Sequence, residues 1–112
     1  MAKPRTRSHS RYALDAVELL GLLIHDARVA RELTISELAE RAGVSRGLVH
    51  RIENGDAGCS IGVVFELAAI VGLRLFDAEP DRLNQHLTSA RDRLALLPKA
   101  VRPSRRAVKD DF

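Results

Sequence analysis

The strongest constraint on how this chain folds lies between residues 34 and 55. Thr34-Ile35-Ser36-Glu37 sets a hydroxyl three residues ahead of a glutamate. The hydroxyl can accept from the glutamate amide while the carboxylate reaches back to the threonine amide, a capping box that starts a helix at a defined residue. That helix is short. Leu38 and Ala39 point inward, and Gly43 follows at the place where a left-handed C-cap is cheapest for glycine. Ser45 caps the next helix, whose apolar side carries Leu48, Val49 and Ile52, and Asn54-Gly55-Asp56 stops it. Two short helices joined by a tight turn must cross at a steep angle, with Ala39 small where they approach and Val44 and Ile52 filling the angle between them.

The flanking segments supply the helices that such a pair needs. Leu14, Val17, Leu20, Ile24 and Ala27 recur at steps of three and four, which predicts a long helix from Tyr12 to about Glu32. Ser60 stands ahead of a further helix running through Val71. Val63, Val64, Leu67, Ala68 and Ile70 make it apolar enough to be mostly buried, and Gly72 closes it. Arg74-Leu75-Phe76 alternates as a single short strand would, and such a strand requires a partner to be stable. Pro80 suits the first turn of a fifth helix, along which Leu83, Leu87, Ala90, Leu94 and Leu97 form a stripe that ends at Pro98. The stripe serves the core, a dimer contact or a contact with a partner protein. The expected fold is all-α, five helices in one domain, with a short C-terminal strand. Its divisions are a basic arm at 1–11, the central domain at 12–77, the last helix at 78–97 and a basic tail at 98–112.

Charge has to be read by position. The net charge is +3 in 112 residues and the isoelectric point is near 9.6. Lys3, Arg5, Arg7 and Arg11 face no acid within the first eleven residues, and residues 98–112 hold five basic side chains against Asp110 and Asp111. The middle of the chain is therefore net acidic, and the total alone cannot assign a nucleic-acid partner to the folded body. Chain length and a hydrophobic share of 46% allow one modest core. No run reaches the roughly 18 apolar residues of a membrane span, and the basic start lacks the apolar stretch of a secretory signal, so the expected location is the cytoplasm and no membrane partner is expected. Cys59 is the sole cysteine, which excludes an intrachain disulfide and a cysteine-based metal site. Neither a phosphate-binding glycine loop nor a nucleophile and base at useful spacing is present. Catalytic residues, a metal and a cofactor are accordingly not expected.

The third helix carries the chemistry. Ser45, Arg46, Gly47, His50 and Arg51 recur along its solvent side. A second helix presented in this manner enters the major groove of DNA, where an arginine in the first turn can bond to guanine O6 and N7, a contact worth about 1 to 3 kcal/mol of discrimination. Arg46 and Arg51 are the candidates, for bases or for phosphate. Gly47 costs an exposed helix about 1 kcal/mol relative to alanine, which fits either a close approach of backbone to DNA or a tolerated cost. The N-terminal amides beside Ser45 and Thr34 suit a phosphate oxygen.

The run Leu33-Thr34-Ile35-Ser36-Glu37-Leu38-Ala39-Glu40-Arg41-Ala42-Gly43-Val44-Ser45-Arg46, continued by Arg51-Ile52-Glu53-Asn54-Gly55, resembles the Xre and phage Cro/repressor family, and the likeness spans about residues 14–76. It implies a lambda-repressor-like helix-turn-helix domain that binds double-stranded operator DNA as a homodimer. It further implies an ion pair between Arg28 on the first helix and Glu53 closing the third. One position departs from the pattern: a glutamine that touches phosphate is common directly after the cap of the second helix, and Ile35 stands there. The segment Gly72-Leu73-Arg74-Leu75-Phe76 and the helix beyond it resemble HipB-like antitoxins, whose strand pairs across a dimer two-fold and whose partner is a HipA-like kinase toxin. On this reading the chain is a transcriptional repressor and antitoxin. The alternatives are a stand-alone regulator and an interaction module that only neutralises a partner. The DNA-facing residues are expected to be Thr34, Ser36, Ser45, Arg46, Gly47, His50, Arg51 and Asn54. His25 reads as a solvated or packed histidine.

Overall fold

The computed structural model describes residues 8–101. Its elements are α1 (Arg11–Ala30), α2 (Ile35–Ala42), α3 (Arg46–Glu53), α4 (Ile61–Ile70), a single 3-10 turn at Leu75–Asp77, and α5 (Pro80–Ala95). The chain divides into two units between Asp77 and Ala78. Residues 1–7 of the expected arm and 102–112 of the expected tail lie outside the described residues.

Local capping sets most of these boundaries. The Ser10 hydroxyl accepts from the Ala13 amide at 3.1 Å and starts α1, so Arg11 belongs to a helix and not to the arm in which the sequence placed it. The capping box forms in full: the Thr34 hydroxyl accepts from the Glu37 amide at 3.0 Å, and the Glu37 carboxylate accepts from the Thr34 amide at 2.8 Å. Its bond from the Thr34 amide is the main reason that the Glu37 carboxyl lies below the ordinary carboxylate range. Gly43 takes φ +70° beyond α2, and Val44 N–H returns to the Ala39 carbonyl at 3.0 Å. Ser45 caps α3 by accepting from the Leu48 amide at 3.1 Å. Ser60 stands at the N-cap position of α4 but makes no side-chain cap bond.

The core of the first unit gathers Ile24 from α1, Leu38 and Ala39 from α2, Val49 and Ile52 from α3, Leu67 and Ala68 from α4, and Val71 just after it. Burying one such aliphatic side chain contributes about 1.5 to 3 kcal/mol. Helix α1 crosses α3 so closely that glycine is required at the contact. A Cβ on Gly21 would lie 2.5 Å from the Ile52 carbonyl oxygen. Helix α4 is less buried than its composition suggests, since only Leu67 and Ala68 are fully enclosed and Ile61 is exposed.

The expected strand at Arg74–Phe76 is not formed, and no strand occurs among the described residues. Leu75–Asp77 instead makes one 3-10 turn, closed by the Asp77 amide on the Arg74 carbonyl at 3.3 Å, with Phe76 and Asp77 at φ +56° and +55°. The physical reason is pairing. A three-residue strand has no neighbour of its own to satisfy its backbone, whereas a turn satisfies part of it locally. Phe76 is placed edge-on to Phe65 of α4, ring centres 6.1 Å apart. In the second unit, α5 contains no buried residue, and it ends at Ala95 with Leu96 as its cap, two residues short of the expected end.

Candidate nucleic-acid interface

The N-terminal turns of α2 and α3 lie side by side. Between them runs an open groove of about 570 Å³ lined by Arg28, Thr34, Ile35, Ser36, Arg46, Gly47 and His50. Ser45, the α3 cap, directly precedes Arg46 and Gly47 but does not itself line the groove. An Arg46 guanidinium N–H points toward the Ser36 hydroxyl at 3.5 Å, which ties the exposed faces of the two helices together. Gly47 has open space where a side chain would be: the nearest atom to an added Cβ is the Ser45 hydroxyl at 4.0 Å. Nothing among the described residues therefore demands a glycine there. Ile35, at the position where the family pattern has glutamine, is half-buried and packs on the core, so it offers this groove a wall and no hydrogen bond.

Farther along α3 the two remaining expected residues part company. Asn54 stays with His50, donating from its amide nitrogen to the His50 carbonyl at 2.7 Å. Arg51 leaves the groove. Its Nε donates to Asp56 Oδ2 at 3.1 Å, and its terminal nitrogen lies 3.6 Å from Cys59 Sγ. Asp56 is itself fixed, because its other oxygen accepts from the Gly58 amide at 2.7 Å. The Gly58 amide first and the Arg51 guanidinium second hold the Asp56 carboxyl below its ordinary range, and Asp56 in turn raises the pKa of Arg51. Asp56 carried no signal as a partner of Arg51 in the sequence beyond its place in the stop turn.

Behind the groove, a buried polar cluster fixes α3 against α1. Arg28 Nε donates to Glu53 Oε2 at 2.6 Å, a terminal nitrogen donates to Glu53 Oε1 at 3.0 Å, and the other donates to the Leu33 carbonyl at 2.7 Å. His25 completes the cluster, with Nδ1 at 2.7 Å from Glu53 Oε1. A hydrogen bond between the two requires the proton on Nδ1, because a carboxylate oxygen only accepts. Burial works against ionisation of Glu53, yet the bonds from Arg28 and His25 outweigh it and hold the carboxyl below its ordinary range. Sequence reading missed His25. Its spacing of three from Arg28 was the available signal, since i and i+3 share a helix face.

The arrangement presents two helix N-termini, two hydroxyls and a guanidinium on one open face, braced from behind by a neutralised ion-pair cluster. Such a face suits an extended polyanion, because the amides and the arginine supply donors while no carboxylate lines the groove. A family model described as a helix-turn-helix domain matches residues 19–83, beginning inside α1 and ending inside α5. No curated protein and no solved structure matches the chain. The match covers more than half of the sequence, and on that finding the chain belongs to the helix-turn-helix domain family, the domain of DNA-binding regulators.

Proposed function

We propose that the chain is a transcriptional repressor that binds a two-fold symmetric DNA operator as a homodimer, with the first turn of α3 in the major groove. The observation that carries this reading is the shared groove of Thr34, Ser36, Arg46, Gly47 and His50 at the adjoining ends of α2 and α3. In this reading Arg46 reads a base. Thr34, Ser36 and Ser45 bond phosphate oxygens, and the bare backbone at Gly47 lies against the DNA. His50 and Asn54 extend the contact along the groove, and Arg51, drawn aside by Asp56, meets phosphate. Dimerisation follows from reach. One such helix covers only a few base pairs, and two related by a two-fold axis, about 34 to 36 Å apart, meet successive major-groove faces.

A second reading adds an antitoxin role, motivated by the likeness of Gly72–Phe76 and the helix after it to HipB-like antitoxins. A HipA-like kinase that co-purifies with the chain and is inhibited by it would support that role, and a chain that represses alone would leave a stand-alone regulator. The DNA reading is tested by selecting binding sites from a random duplex library with the full chain. A recovered palindrome whose half-sites lie one helical turn apart is expected, and enrichment of no sequence over the input would overturn it.

A further inference from the structure

We propose that the leucine seam of α5 docks on the outer face of α1 in a second copy of the chain, giving a reciprocal two-fold dimer. The proposal deepens the dimer reading above and rests on it, but it does not depend on how DNA is read.

Two apolar helix faces, one on each unit, motivate it. Helix α1 buries Gly21, Ile24 and Arg28 on one side, while its opposite side leaves Leu19, Leu22, Leu23 and Val29 exposed by 56%, 53%, 43% and 53%. These exposed leucines and Val29 recur on one side of α1, interleaved with Asp15 and Asp26 on the helical wheel, a mixed face suited to an interaction surface. Helix α5 has no buried residue at all. Leu83, Leu87, Ala90 and Leu94 follow one another at steps of four, three and four within α5, and Leu97 continues the spacing just past its end at Ala95. That heptad-like repeat makes a narrow seam suited to lying along another helix. A sixteen-residue helix is marginal alone in water, so the seam requires a cover. The lengths match: at 1.5 Å per residue, α1 runs about 30 Å and α5 about 24 Å.

Charge selects the occupant. On the helical wheel, Arg82, His86 and Arg93 border one side of the α5 seam and Arg91 the other, while Asp81 and Asp92 fall on the far face. A second α5 laid against the first would bring these basic side chains together, which disfavours self-pairing. The outer face of α1 is of opposite sign. Asp15 and Asp26 stand among its leucines and Glu18 at its edge, and Arg11, the one arginine or lysine at that end among the described residues, is engaged with Asp15 at 3.8 Å. A two-fold axis lets each copy give its α5 and receive the other's, which closes the pair.

The test is sedimentation equilibrium of the full chain without DNA, using two charge-reversed forms, Arg91→Glu/Arg93→Glu and Asp15→Arg/Asp26→Arg. All four positions are solvent-exposed, and circular dichroism checks that helix content is kept. The parent chain is expected to be a dimer, and each reversed form alone to dimerise about tenfold more weakly or worse. An equimolar mixture of the two should regain dimer mass, since every α5 then meets an α1 face of opposite sign. A monomeric parent would overturn this proposal together with the dimer reading. A form with Asp15→Arg/Asp26→Arg that dimerises as the parent does would overturn this proposal alone, because it would place the dimer contact on another surface. A mixture that stays monomeric would also overturn it. Operator binding is measured separately, so failure of the DNA reading leaves this result standing.

Discussion

Arg28 and Glu53, twenty-five residues apart, meet through two nitrogen–oxygen contacts of 2.6 and 3.0 Å in the interior between α1 and α3. Both side chains are less than a tenth exposed. The pair therefore acts as a strut: it fixes the end of α3 whose beginning forms the groove wall. Removing one partner leaves the other charge buried without compensation, a loss of about 3 to 5 kcal/mol for buried pairs. Glu53→Gln is expected to destabilise the chain by an amount in that range, read from the denaturant midpoint at constant slope. His25→Ala should cost under about 1 kcal/mol, because the histidine side chain is half exposed.

The same cluster sets an acid limit. The Glu53 carboxyl is held below the ordinary carboxylate range in the fold. A depressed folded-state pKa gives stability that is fully present above the unfolded value and is lost as pH falls through the folded one. Stability should therefore decline below the unperturbed glutamate pKa of about 4.3, and Glu53→Gln should flatten that decline. An equally steep acid limb in the variant would count against the cluster as its source.

Gly21 is expected to reject even one methyl group. A Cβ there would stand 2.5 Å from the Ile52 carbonyl oxygen and 3.1 Å from that of Glu53, both backbone atoms. Overpacking of this kind costs about 1 to 3 kcal/mol, which exceeds the gain of about 1 kcal/mol from helix propensity. Gly21→Ala should lower the melting temperature.

Gly47 should behave in the opposite sense. With open space around it, Gly47→Ala is expected to stabilise α3 by up to about 1 kcal/mol while weakening operator binding, since the methyl group would point at the DNA. Fluorescence anisotropy with the selected operator separates the two effects. Unchanged affinity would remove the close backbone approach from the interface.

Arg46 and Arg51 are expected to differ in kind. Arg46→Ala should cost about 1 to 3 kcal/mol on the operator and far less on random duplex. Arg51→Ala should weaken both DNAs alike and make binding less dependent on salt, the sign of a phosphate contact. Asp56→Asn, which loosens the hold on Arg51, should raise affinity for random duplex. Equal losses on operator and random DNA for Arg46→Ala would reduce it to a phosphate contact as well.

The sequence by itself determined the elements whose signals are local. Thr34 and Glu37, Gly43, and Ser45 with the Leu48 amide interact across three or four residues, so the start of α2, the turn and the start of α3 follow from residue type and spacing alone. The family pattern extended this to Arg28 with Glu53. Tertiary structure decided what depends on distant neighbours. His25 joins Glu53 only because α1 crosses α3, Gly21 is required only where that crossing is tightest, and Arg51 turns to Asp56 only because the chain reverses after Asn54. The segment Arg74–Phe76 shows the reason most plainly. Alternation is compatible with a strand, but a strand is defined by its partner; with none alongside it, the backbone of Leu75–Asp77 closes on itself as a 3-10 turn.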